Sequence, residues 1–101
     1  MTEARARILA VDDKPENVRL LEAILTPAGY EVVGAASGEE ALTKARAERF
    51  DMILTDIVMP GMSGYELCRT LRKDRATAFL PIVTMGRNAV AGSFRRVRQS
   101  S

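Results

Sequence analysis

Histidine and tryptophan are absent from these 101 residues, and cysteine occurs once, at Cys68. Without histidine there is no support for a His-activated nucleophile, and little for a structural zinc site. A lone cysteine cannot close an internal disulfide. No apolar run approaches the ~20 residues of a membrane span. The N-terminal MTEARAR is basic but leads directly into the short run ILAVDD. It lacks the long apolar core and small-residue cleavage site of a signal peptide. A Gly-rich phosphate-cradling loop with a Walker lysine is also missing, which argues against a nucleotide site. These absences point to a cytoplasmic protein with no membrane partner.

What is present is the composition of an ordinary globular protein, 47% hydrophobic and 28% charged. The length accommodates one domain. The net charge of +2 conceals an asymmetry. Through residue 86 there are 11 Lys and Arg against 13 Asp and Glu. After it come four arginines, Arg87, Arg95, Arg96 and Arg98, and no acid. The expected division is therefore 1–86, an incomplete domain, and 87–101, a divergent basic tail.

The first part alternates strand-like and helix-like segments. Arg7–Val11 is a short apolar run closed by an acidic pair. In Pro15–Leu25, Val18, Leu21 and Leu25 fall at i, i+3 and i+7 with Ile24 beside them, which predicts an amphipathic helix. Pro27, Gly29 and Tyr30 end it. Glu31–Ala35 reads as a strand. Ser37 and Glu40 match a capping box that opens a helix to about Arg49, burying Ala41, Leu42 and Ala45. Asp51–Thr55 suits a strand covered on both faces. It leads to Asp56 and a loop punctuated by Pro60, Gly61 and Gly64. Ser63 and Glu66 form a second capping box, starting a helix to about Asp74 with Tyr65, Leu67, Cys68 and Leu71 available to the core. Leu80–Met85 is the fourth strand candidate. Four strands alternating with three helices predict an α/β fold, a doubly wound parallel sheet.

In such a sheet ligands bind beyond the carboxyl ends of the strands. The first strand ends in Asp12 and Asp13, and the third runs into Asp56. If those strands are neighbours, three carboxylates converge and require a cation. A hard divalent ion with oxygen ligands, Mg2+ above all, meets that need. A metal beside a nucleophilic carboxylate suits phosphoryl transfer to aspartate. Each residue also has a structural role open to it. Asp13 with Glu16 could cap the first helix, and Asp56 could be a turn-former before Pro60 and Gly61. The conjunction of an acidic pair after one strand and an aspartate after another favours the site.

The stretches ILAVDDKPENVRLLEAIL, DMILTDIVMPGMSGYELCRTLR and LPIV resemble a response-regulator receiver domain of two-component signalling over about residues 7–85. The resemblance implies a flavodoxin-like receiver fold, with expected strand order 2-1-3-4 in a chain lacking the usual fifth strand and helix. It implies that Asp56 is the phosphoacceptor and Asp13 a direct metal ligand. Asp12 would assist through water, and the backbone carbonyl of Val58 would complete the protein's share of the metal shell. Met59, Pro60 and Gly64 would shape the loop. The implied donor is a histidine kinase or phosphotransfer protein, and the domain is an acceptor rather than an enzyme with classical turnover.

The sequence departs from the family after about residue 85. The Thr or Ser expected five residues after the proline of the fourth strand falls on Gly86, counted from Pro81, and Thr84 lies two residues earlier. None of the lysines, Lys14, Lys44 and Lys73, matches the lysine expected at the end of a fifth strand. GRNAVAGSFRRVRQSS stands there instead, reading as a frayed basic end or a short helix through Val90, Phe94 and Val97. A missing strand would leave the fourth as an edge, so a homodimer or domain-swapped assembly is expected. The alternative function is a phosphorylation-independent module that binds or sequesters a kinase or regulator through that edge. Four arginines without an aromatic platform give little reason to expect a nucleic-acid partner.

Overall fold

The computed structural model describes residues 5–85. Their elements run β1 (Arg7–Val11), α1 (Pro15–Leu25), β2 (Glu31–Ala35), α2 (Gly38–Ala47), β3 (Met52–Asp56), α3 (Gly64–Lys73) and β4 (Ile82–Met85). The strands form one parallel sheet in the order β2-β1-β3-β4. Both the α/β class and the strand order agree with expectation.

The order follows from where the apolar side chains go. Along β1, Leu9 and Val11 face one layer, while Ile8 and Ala10 face the other. A strand apolar on both faces must be covered on both, and only a central place in a parallel sheet allows this. The larger core joins Leu9, Val11 and Ile53 to Ala41, Leu42 and Ala45 of α2 and to Leu67 and Leu71 of α3. The opposite core packs Leu21 and Leu25 of α1 against Ile8, Ala10, Leu54 and Met85. Helices on both faces make the sheet doubly wound and leave the strand ends free for chemistry.

Several local expectations need correction. Tyr65 and Cys68 are not core residues: Tyr65 is 59% exposed and Cys68 half-buried. With α3 starting at Gly64, its inward stripe runs through Gly64, Leu67 and Leu71, and Tyr65 sits beside it. Ile24 lies at the rim of α1, partly exposed, while Leu21 and Leu25 are buried. Strand β4 begins at Ile82 rather than Leu80: the Leu80 N–H turns back to the Thr77 carbonyl, and Pro81 has no N–H to offer. The Ser63–Glu66 capping box is complete. That of α2 is altered: Ser37 accepts from the Glu40 N–H, but the Glu40 carboxylate accepts from Ala36 rather than Ser37. The expectations for Gly86, for a missing fifth strand and helix, and for residues 87–101 lie outside the described residues.

Candidate functional site

The carboxyl ends of β1 and β3 lie side by side because the two strands pair directly, Val11 against Thr55. Residues one step further on, Asp12 and Asp56, therefore emerge together at the same edge. One carboxylate oxygen from each of Asp12, Asp13 and Asp56 lies within 4.8 Å of the others. The three acids singled out in the sequence are thus one cluster.

Asp12 is the interior member, only 4% exposed. Its Oδ1 accepts from the Lys14 N–H at 2.9 Å and its Oδ2 from Asn17 Nδ2 at 3.0 Å. Burial raises the Asp12 pKa above the ordinary carboxylate range. Those two hydrogen bonds oppose the shift, and repulsion from Asp56 and Asp13 adds to it. Asn17 was not singled out in the sequence. Its role depends on α1 beginning at Pro15, which sets the Asn17 amide beneath Asp12, and no local pattern announces that pairing. Asp13 does not cap α1: the N-cap is Lys14, and no side chain caps the helix. The structural role available to Asp13 is therefore not the one it plays.

The loop after Asp56 is fixed by its backbone. Thr55, fully buried, donates its hydroxyl to the Asp56 carbonyl at 3.1 Å. The Ile57 N–H donates to the Met85 carbonyl, and the Gly64 N–H to the Ile57 carbonyl. A Cβ at Gly64 would run into the Asp56 carbonyl oxygen, so α3 can start this close to the acid only with glycine there. Gly61 turns the loop at φ 77°, a conformation that favours glycine. Met59 is buried, and Val58 is 66% exposed. Thr84 pairs in register with Thr55, one step before Asp56. Of the lysines, Lys44 is engaged with the Gly34 carbonyl at 2.6 Å and with Glu40.

An all-oxygen donor set of three acids, crowded and partly buried, fits a hard divalent cation and offers nothing to a softer one. The geometry is also that of a known family. The family model for the response regulator receiver domain matches residues 8–98. The chain belongs to this family. Receiver domains are signalling domains that accept phosphate in two-component systems. This receiver is 51% identical over 78 residues to the response regulator PleD of Caulobacter vibrioides, a match covering 77% of the chain and 17% of that protein. The receiver thus corresponds to a small part of that relative. Its fold is similar to that of the chemotaxis protein CheY4 of Vibrio cholerae, with TM-score 0.78 and 43% identity over 81% of this chain and 68% of that one. It is also similar to the response regulator TrrA of Thermotoga maritima, solved in complex with Mg2+-BeF, with TM-score 0.75 and 40% identity over 80% and 69%. Among the described residues, no helix is long and apolar enough to cross a membrane.

Proposed function

We propose that this receiver accepts a phosphoryl group on Asp56, with Asp12, Asp13, Asp56 and the Val58 backbone carbonyl holding Mg2+ or another divalent cation. The observation that carries the reading is the convergence of three carboxylates from two paired strands within 4.8 Å. The TrrA complex supports the choice of ion. When bound, the cation supplies neutralising charge to the acids and to the phosphoryl oxygens.

The rest of the chemistry belongs to the chain. Asp56 sits half-buried at the mouth of the cluster, where an incoming phosphodonor can reach it. Its carboxylate oxygen attacks phosphorus of a donor phosphohistidine; the new P–O bond forms as the P–N bond breaks, and the imidazole leaves. Asp12 is held by Lys14 and Asn17, so it keeps its position through the exchange. The bond from the Thr55 hydroxyl to the Asp56 carbonyl helps fix the backbone from which the nucleophile projects. The chain is an acceptor with no classical turnover. Its donor is a histidine kinase or phosphotransfer protein, and its compartment the cytoplasm.

The proposed unit is residues 1–86, with 87–101 as a basic tail, a division that rests on the change in charge. A homodimer or domain-swapped assembly is part of the proposal, resting on the departure of the sequence from the family pattern after residue 85. Light scattering checks this: a mass of two chains is expected, and a stable monomer at low concentration contradicts it.

The test of function is intact mass after incubation with Mg2+ and a small phosphodonor. One phosphoryl group on the wild type, none on Asp56→Asn and none without a divalent ion is the expected pattern. No addition under any condition would sink the reading. Partner binding that survives Asp56→Asn unchanged would favour the phosphorylation-independent module instead.

A further inference from the structure

The loop from Ile57 to Ser63 is attached to the helical layer by a contact that the strand ends do not require. Met62 packs directly on Gly38, the first residue of α2. A Cβ added at position 38 would lie 2.8 Å from the Met62 Sδ and 2.9 Å from its Cβ and Cγ. The sulfur could swing aside by rotating, but Cβ moves only with its backbone. Any side chain at position 38 must therefore displace the loop or the first turn of α2. Gly38 is not among the glycines at positive φ, so its backbone does not demand glycine. What demands it is the close approach of Met62.

Backbone bonds from Ile57 to Met85 and from Gly64 to Ile57, with the Ser63–Glu66 capping box, tie the two ends of the loop, but its middle has few other anchors. Val58 is largely exposed, so its side chain cannot fix its own carbonyl. Gly61 turns the chain at positive φ and has no side chain to anchor it. Anchorage falls to Met59, buried in the larger core, and to Met62, packed against the same core. These two methionines bracket the turn, and Met62 lies against the start of α2.

We propose that the Gly38–Met62 contact is a positioning clamp for the metal shell, holding the Val58 carbonyl in register with the three carboxylates. This rests on the reading of the site given above. Gly38 and Met62 touch neither the ion nor the phosphoryl group; they act through the loop. Residues that orient metal ligands in this way typically control affinity by about 10–100-fold, and a backbone carbonyl at an exposed loop belongs at the lower end.

The test uses the full chain as wild type, Gly38→Ala, Met62→Gly and the double variant. Mg2+ affinity is measured by titration calorimetry, and backbone amide NMR spectra are recorded without metal. Gly38→Ala is expected to weaken Mg2+ about tenfold and to move the amide resonances of Val58, Gly61 and Ser63. Met62→Gly, which releases the clamp without a clash, is expected to weaken Mg2+ comparably with helical circular dichroism retained. In the Met62→Gly background, adding Gly38→Ala should change affinity by no more than about twofold, whereas independent sites would each show their full effect. Unmoved loop amides in both single variants would overturn the clamp. So would a Gly38→Ala effect that persists at full size without Met62, since the fault would then lie in α2 alone. Should the wild type take up no Mg2+, the proposed metal role fails, and the amide comparison still decides whether Met62 and Gly38 hold the loop.

Discussion

Asp12→Asn should make the metal-free protein more stable while removing its divalent-ion response. The Asp12 carboxylate is almost fully buried and lies within 4.8 Å of two other carboxylates. At that separation and an effective dielectric constant near 20, each repulsion is worth about 3.5 kcal/mol before screening. Asp13 and Asp56 are half-exposed, so solvent removes much of that. Against it stand two hydrogen bonds, from Lys14 and Asn17, which are stronger to a charged acceptor by about 1 kcal/mol each. Asparagine keeps an oxygen for the Lys14 N–H, and a flipped Asn17 amide can accept from its NH2. A net gain of roughly 1–2 kcal/mol is expected, a rise of about 5–10 °C in Tm for a domain of this size. The pH dependence has a definite sign. Because the folded pKa of Asp12 is raised, its unfavourable contribution is fully present above that pKa. Stability should then increase as pH falls through the folded pKa toward the ordinary carboxylate range, and level off below it. In Asp12→Asn that increase should vanish. The assay is thermal unfolding by circular dichroism across pH, with and without Mg2+. A metal-free Asp12→Asn protein less stable than wild type at neutral pH would refute the reasoning.

Gly64→Ala forces a Cβ into the Asp56 backbone carbonyl and should cost at least about 2 kcal/mol, read by urea unfolding. Ser63→Ala removes the complete capping box of α3 and should cost about 1 kcal/mol, whereas the exposed Phe79→Ala should stay within about 0.5 kcal/mol. Leu71→Ala opens a cavity in the larger core at a fully buried site and should cost about 3 kcal/mol; loss of the cooperative transition in denaturant is the extreme outcome.

Much of this fold was legible because each signal was local. The ranges of β1, α1 and β2 follow from apolar periodicity and from Pro15, Pro27 and Gly29. The acidic site was legible because a parallel sheet places strand ends together, so Asp12, Asp13 and Asp56 could be assigned to one edge before any distance was known. Contacts between distant segments were not legible. Asn17 supports Asp12 only through the entry angle of α1, and Met62 meets Gly38 across 24 positions of sequence. Tyr65 was misplaced because apolar character alone does not say which side of a helix faces inward; the start at Gly64 decides it. The shift of Glu40 from Ser37 to Ala36 is likewise a matter of backbone direction that the capping pattern does not encode.

The central claim is that Asp56 is the residue that takes the phosphoryl group. Borohydride reduction of the phosphorylated protein converts an acyl phosphate to homoserine, and peptide mass mapping then locates it. The account predicts homoserine at position 56 alone, dependent on Mg2+. Homoserine at Asp12, Asp13 or any other acid, with Asp56 unchanged, would contradict it.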